Sequence, residues 1–255
     1  TSVARVLSVS ELECASAPTS SAGARVLSVS ANGQQFSQGG VALFTYRPAA
    51  AVSSVWPVRG ASEGGTPVTV LGSGFSSAAE ALGSLSCRFN ASVVMAAYVS
   101  ESAVVCNSSS FGAGHVAVEV STNGREYTTS GVHFEYVSLV MDEIVPWSGP
   151  IFGGTVLTIT GSRMSEASDG LLCRFAEYYL VSASAHGSDG VRCVSPGSLP
   201  TGWSSVELTL YGTLLRSGGS LFVHPALYVS ELVPPAGPVA CLLYTSDAAD
   251  DRLSV

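Results

Sequence analysis

The residues with the most chemistry to offer in this chain are its six cysteines, and their spacing limits what that chemistry can be. Cys87 and Cys106 lie 19 residues apart, and Cys173 and Cys193 lie 20 apart. No Cys-x-x-Cys occurs. The four histidines, His115, His133, His186 and His224, fall at unrelated points of the chain, so a zinc ligand set is not formed. Two readings remain: buried reduced thiols, or two disulfides, Cys87–Cys106 and Cys173–Cys193, in an oxidising compartment. Closing a loop of about 20 residues in this way contributes roughly 3 kcal/mol through the unfolded state.

Other reactive types are scattered. Serine is abundant, but no Gly-x-Ser-x-Gly nucleophile elbow is expected, and the histidines fall at different points of the repeat. Glu119 and Glu207 recur at equivalent points, yet each alternates with Val or Leu along a strand, which reads as a solvated sheet face. Asp142-Glu143 is the closest approach to a calcium cluster, and neighbouring junctions lack matching acids apart from Glu231. Two Asn-x-Ser sequons, Asn90-Ala-Ser92 and Asn107-Ser-Ser109, are possible N-glycosylation sites in a eukaryotic secretory host. Trp56 and Trp147 sit beside prolines and read as packing under a first strand or at a seam between domains. Trp203 has no evident counterpart and reads as a loop tip, the better candidate for touching a ligand.

The elements that position these residues come in repeats. Pro57 matches Pro146 and Gly64-Gly65-Thr66 matches Gly153-Gly154-Thr155, both at a spacing of 89. Leu85-Ser-Cys87-Arg-Phe89 matches Leu171-Leu-Cys173-Arg-Phe175, Val104-Val-Cys106 matches Val191-Arg-Cys193, and Val118-Glu-Val-Ser121 matches Val206-Glu-Leu-Thr209. The cysteine pairs thus recur in register, which favours the disulfide reading. Cys14 matches Cys106, as Leu12-Glu-Cys14, Asn32-Gly33 and Phe44-Thr-Tyr46 repeat later segments. Near the other end, Leu232-Val-Pro234 through Gly237-Pro238 repeats Ile144-Val-Pro146 through Gly149-Pro150. Expected units are therefore 1–48, the C-terminal half of a truncated repeat; 49–137 and 138–226, two complete repeats; and 227–240, the start of a fourth. Residues 241–255, with Cys241, stop matching and resemble the translated read-through of a sequencing adapter.

Within a repeat, short alternating segments dominate. Val116, Val118 and Val120 share one face of 115–121, opposite His115, Ala117 and Glu119. Asn123-Gly124 fits a two-residue type I′ hairpin turn. Residues 76–83 allow one helical turn. In the third repeat Tyr211-Gly212 replaces Asn-Gly and His224 replaces the tyrosine seen at Tyr46 and Tyr136, leaving its turn type open. Several short strands with turn signals every 8–12 residues make a sandwich pattern.

The ordered set of a Gly-Gly-Thr-x-Val-Thr-Val-x-Gly opening, Leu-x-Cys-Arg-Phe, Val-x-Cys, Val-Glu-Val-Ser, Asn-Gly and Phe-x-Tyr resembles the IPT/TIG family of immunoglobulin-like domains across residues 1–240. The resemblance implies an all-β fold of tandem immunoglobulin-like β-sandwiches in an extended array. The cysteine-bearing copies are similar to the extracellular branch found in plexin and fibrocystin-like proteins. The implied role is a fragment of a cell-surface or secreted protein acting in adhesion, recognition or spacing; accessory domains of a secreted carbohydrate-active enzyme are the alternative. No catalytic residue, cofactor or metal is expected. Protein or glycan ligands at loop tips or sheet faces are the expected partners, with membrane attachment only through a part of the chain not present here. All eleven basic residues are arginine and the net charge is -8, without the basic stripe that nucleic acid requires.

Overall fold

The computed structural model describes residues 1–38, 42–164, 169–231 and 233. The segment expected to open a fourth repeat falls mostly outside the described residues, and 241–255 with Cys241 falls wholly outside them. Strands β1 (Ala4–Ser8) and β2 (Glu11–Cys14) pair antiparallel, as do β3 (Gly23–Leu27) and β4 (Ala42–Tyr46). Both ribbons hold their apolar residues largely in solvent; Val6, Val26 and Leu43 are all exposed.

Next comes a sandwich built from β5 (Ala51–Trp56), β6 (Arg59–Ala61), β7 (Pro67–Ser73), the single helical turn α1 (Ser77–Ala81), β8 (Ser86–Phe89), β9 (Ser92–Ser100), β10 (Ala103–Asn107), β11 (Gly114–Ser121) and β12 (His133–Val137). Its pairing order is β5-β7-β10-β9-β8-β11-β12-β6. All these pairs are antiparallel except β12 with β6, which is parallel. Strand β9 pairs with β10 at one end and with β8 at the other, so it carries the chain from one layer to the other.

The second sandwich repeats this plan with β13 (Val140–Val145), β14 (Ser148–Pro150), β15 (Val156–Ser162), β16 (Leu171–Phe175), β17 (Tyr179–Ser182), β18 (Ser184–Ala185), β19 (Gly190–Val194), β20 (Gly202–Leu210) and β21 (Thr213–His224). Here the bridging strand is broken into β17 and β18, and the layers separate into β13-β15-β19-β18 and β14-β21-β20-β16-β17. In each unit the opening strand passes from one layer to the other through a cis proline, Pro57 or Pro146.

Alternation explains which residues make the cores. Val116, Val118 and Val120 point inward against Phe89, Phe134 and Tyr136, all buried, while the residues between them face out. Phe134 meets both Phe89 and Tyr136 edge to face, at 5.7 Å and 5.1 Å, the geometry that aromatic quadrupoles favour. Leu157, Ile159, Phe175, Val206 and Leu208 play the same part in the second unit. Close approach fixes one glycine in each copy: a Cβ on Gly72 would lie 1.9 Å from the Ala51 carbonyl oxygen, and one on Gly161 the same 1.9 Å from that of Val140. Only glycine lets the opening strand lie so near.

The Asn-Gly expectation needs correcting. Gly124 has φ 70 but Asn123 is not in the left-handed region, and β12 begins only at His133. The Asn123 side-chain oxygen instead accepts hydrogen bonds from the backbone N–H groups of Arg125 and Glu126, at 3.0 Å and 2.9 Å. That is an Asx-type turn within a longer loop, and Asn32 makes the same bonds with Gln34 and Gln35. The two-residue type I′ hairpin occurs in the second sandwich. There Leu210 pairs with Thr213 across Tyr211 (φ 48) and Gly212 (φ 82), both left-handed as that turn requires.

Candidate functional site

In each unit the cysteines sit on the inner faces of opposite layers. Cys87 on β8 is bonded to Cys106 on β10, and Cys173 on β16 to Cys193 on β19, with Cα–Cα distances of 6.3 Å and 6.4 Å. All four are buried in the two cores, whereas Cys14 is a free, exposed thiol. Asn90 lies exposed in the tight turn between β8 and β9, and Asn107 lies exposed at the end of β10.

Glu119 and Glu207 are more than a solvated face. Arg88, opposite Glu119 in the β8–β11 register, donates to it at 2.7 Å; Arg174, opposite Glu207 in the β16–β20 register, donates at 2.9 Å. Arg88 also lies 4.2 Å over the Tyr127 ring. The signal was present in the sequence, since the arginine of Cys-Arg-Phe and the glutamate of Val-Glu both recur. What joins them is strand register. Asp142 and Glu143 remain exposed on β13. No group of three His, Cys, Asp or Glu side chains that could hold a metal occurs among the described residues.

Gly60-Ala-Ser62-Glu-Gly64 has the spelling of a Gly-x-Ser-x-Gly nucleophile elbow. Its context is wrong: Ser62 follows the three-residue strand β6 in a turn, no helix follows, and its hydroxyl bonds to Glu63 at 3.2 Å.

The two sandwiches meet at a built joint. The β20–β21 hairpin tip reaches back to the first unit, where the Tyr211 ring meets Trp56 edge to face at 6.0 Å. Beside it the hydroxyls of Thr66 and Thr213 are hydrogen-bonded at 3.2 Å. Ala61 and Val137 of the first unit are fully buried in the core cluster of the second. Tyr211 holds its left-handed backbone through an N–H bond to the Gly170 carbonyl at 3.0 Å, and its ring covers Gly170 so closely that a Cβ there would lie 2.4 Å from it. Burial, then the Asp169 charge, push the Tyr211 phenol above its ordinary value, with Arg59 pulling the other way. Burial likewise raises the Tyr136 phenol, against an opposing effect of the Ser109 and Ser108 hydroxyls facing it. Trp56 therefore belongs to a seam. An ion pair also links the Asn123 loop to the ribbon before it, Arg125 to Glu13 at 3.0 Å.

Trp147 and Trp203 behave differently. Trp203 is not at a loop tip but on β20, paired across from Phe222. Its ring stacks on Trp147 at 6.2 Å with a 30° interplanar angle and meets Phe222 at 5.3 Å. Trp147 and Trp203 nonetheless remain 62% and 65% exposed. His133, His186 and His224 are spread over separate strands and loops, and none of them joins Ser62.

These features define a tandem module of disulfide-linked immunoglobulin-like sandwiches whose conspicuous surfaces are a joint and an aromatic face rather than an enclosed cleft. The IPT/TIG domain model matches residues 50–136 and 139–224, more than half of the chain, and the chain belongs to that family. Among curated proteins it is 28% identical to human Plexin-A3 over 181 residues, which is 68% of this chain and 10% of that protein. It is 36% identical to human Plexin-B1 over 128 residues, 48% of this chain and 6% of that one. It is 32% identical to human Fibrocystin-L over 123 residues, 46% of this chain and 3% of that one. The chain thus spans a tenth or less of these relatives' lengths. Among solved structures, the full extracellular region of Plexin A4 superposes with a TM-score of 0.52 at 18% identity, covering 69% of this chain and 16% of that one, and supports the fold.

Proposed function

We propose that this chain is part of a non-catalytic cell-surface or secreted repeat protein, in which firmly seated sandwiches, 49–137 and 138–226, hold recognition surfaces at fixed spacing. The observation that carries this reading is the joint. Ala61 is shared with the neighbouring core, and Trp56–Tyr211 and Thr66–Thr213 close the seam around it. A flexible linker would need none of these contacts, and a hinge would be opposed by them. An oxidising, extracellular location fits the two core disulfides and the extracellular origin of the Plexin A4 structure. On the same reading Asn90 and Asn107 carry N-linked glycans, both being exposed at turns or strand ends. No helix among the described residues is long and apolar enough to cross a membrane.

The test is small-angle scattering from the native chain and from a Trp56→Ala/Tyr211→Asn double variant. The expected result is one maximum dimension for the native chain and a broadened distance distribution for the variant. Equal flexibility in both would remove the proposal. Treatment of material secreted from a eukaryotic host with peptide-N-glycosidase should shift its gel mobility, and a chain with Asn90→Gln and Asn107→Gln should not shift.

A further inference from the structure

The aromatic face of the second sandwich has an unlike counterpart in the first. Superposing the strand registers, Trp203↔Phe222 corresponds to His115↔Glu135, and Ser205↔Ser220 corresponds to Ala117↔His133. The parallel β14–β21 and β6–β12 pairings place Trp147 where the first sandwich has Val58. Glu135 is ion-paired with Arg59 at 3.3 Å, so the same site in the first unit is a polar, solvated surface. The fold therefore does not require three aromatic rings at this place.

Neither does a joint between repeats. In the first sandwich the seam uses Trp56, Ala61 and Thr66, which correspond to Val145, Pro150 and Thr155 in the second, and not to Trp147 or Trp203. With its neighbour docked, Val58 is still 56% exposed and His115 is also exposed. A further repeat seated in the same way would leave the Trp147–Trp203 stack open.

The geometry points to this face as a binding platform for a neutral hexopyranose oligosaccharide. The two stacked indoles, their planes 30° apart, leave most of their electron-rich surface open to the axial C–H groups of a sugar ring. One row along the same outer face, about 7 Å away by strand geometry, Ser205 and Ser220 supply hydroxyls at hydrogen-bonding reach of a second sugar. The size of the patch selects the occupant. With each ring worth up to about 250 Å², the open indole surface is about 300 Å², whereas a standard protein interface buries about 800 Å² per partner. Ser205 and Ser220 border it on one side, so a short glycan finds both a stacking surface and hydroxyl partners there.

The experiment titrates the 255-residue chain with cellohexaose, mannohexaose and chitohexaose, reading tryptophan fluorescence and calorimetric heat. At least one should bind, with a fluorescence change. Trp203→Ala should weaken it about tenfold or more, and Trp56→Ala, in the joint, should leave it unchanged. A second variant guards against misfolding: Trp147→Val, Trp203→His and Phe222→Glu together install residues that the first sandwich already carries here. That variant should melt like the native chain and bind nothing. Absence of binding by all three sugars overturns the proposal, as does binding indifferent to Trp203→Ala. Concentration-dependent self-association in sedimentation velocity that Trp203→Ala abolishes would assign the face to a second copy instead. None of these outcomes bears on the scattering test of the joint.

Discussion

At the scale of single residues, the buried cross-links and the crowded glycines are where substitution should cost most. Replacing Cys87 and Cys106 together by alanine frees a 19-residue separation in the unfolded chain. We expect a loss of about 3 kcal/mol, read as a lower urea midpoint. Gly161→Ala forces a methyl to within 1.9 Å of the Val140 oxygen, and should cost at least about 3 kcal/mol or prevent folding of the second sandwich. Tyr136 sets a pH limit. Its phenol is raised by burial, so above about pH 10 the unfolded chain releases a proton that the folded chain retains. Stability is complete below that pH and falls as pH rises through the folded value, and Tyr136→Phe should flatten the alkaline limb of the denaturation profile. The Arg88–Glu119 and Arg174–Glu207 pairs are partly exposed, and each is worth at most about 1 kcal/mol.

At the scale of elements, strands proved more legible than turns. Alternation of valines marked β11, the clash-prone glycines recur with the opening strand, and the short polar-alanine stretch does make the single turn α1. The Asn-Gly dipeptide misled because its side chain competes for nearby backbone N–H groups and so favours an Asx turn over a tight hairpin. Tyr211-Gly212 was opaque for the opposite reason: a tyrosine at φ 48 is disfavoured locally and is held by Gly170 and by Trp56 from another unit. The Trp147–Trp203 stack was hidden because it depends on the parallel β14–β21 pairing, which brings together residues 56 positions apart. Tyr211→Asn keeps a residue tolerant of the left-handed turn while removing the ring. In calorimetry the native chain should unfold with its sandwiches coupled, and the variant should resolve into two separate transitions, with hairpin signals retained in amide exchange.

At the scale of the whole molecule, the two units follow one strand order but present different outer surfaces: an Arg59–Glu135 ion pair on one, stacked indoles on the other. Framework and surface can thus change independently, which is why the family was legible from Cys-Arg-Phe and Gly-Gly-Thr while the aromatic face was not. The joint has a further consequence. The fitting differs between the units: the second sandwich supplies the Tyr211 turn and the first the Trp56, Ala61 and Thr66 socket, whose counterparts in the second are Val145, Pro150 and Thr155. Exchanging the two units in the gene would set the longer Asn123 loop against Val145 and Pro150, so the order of the units is itself part of the fit.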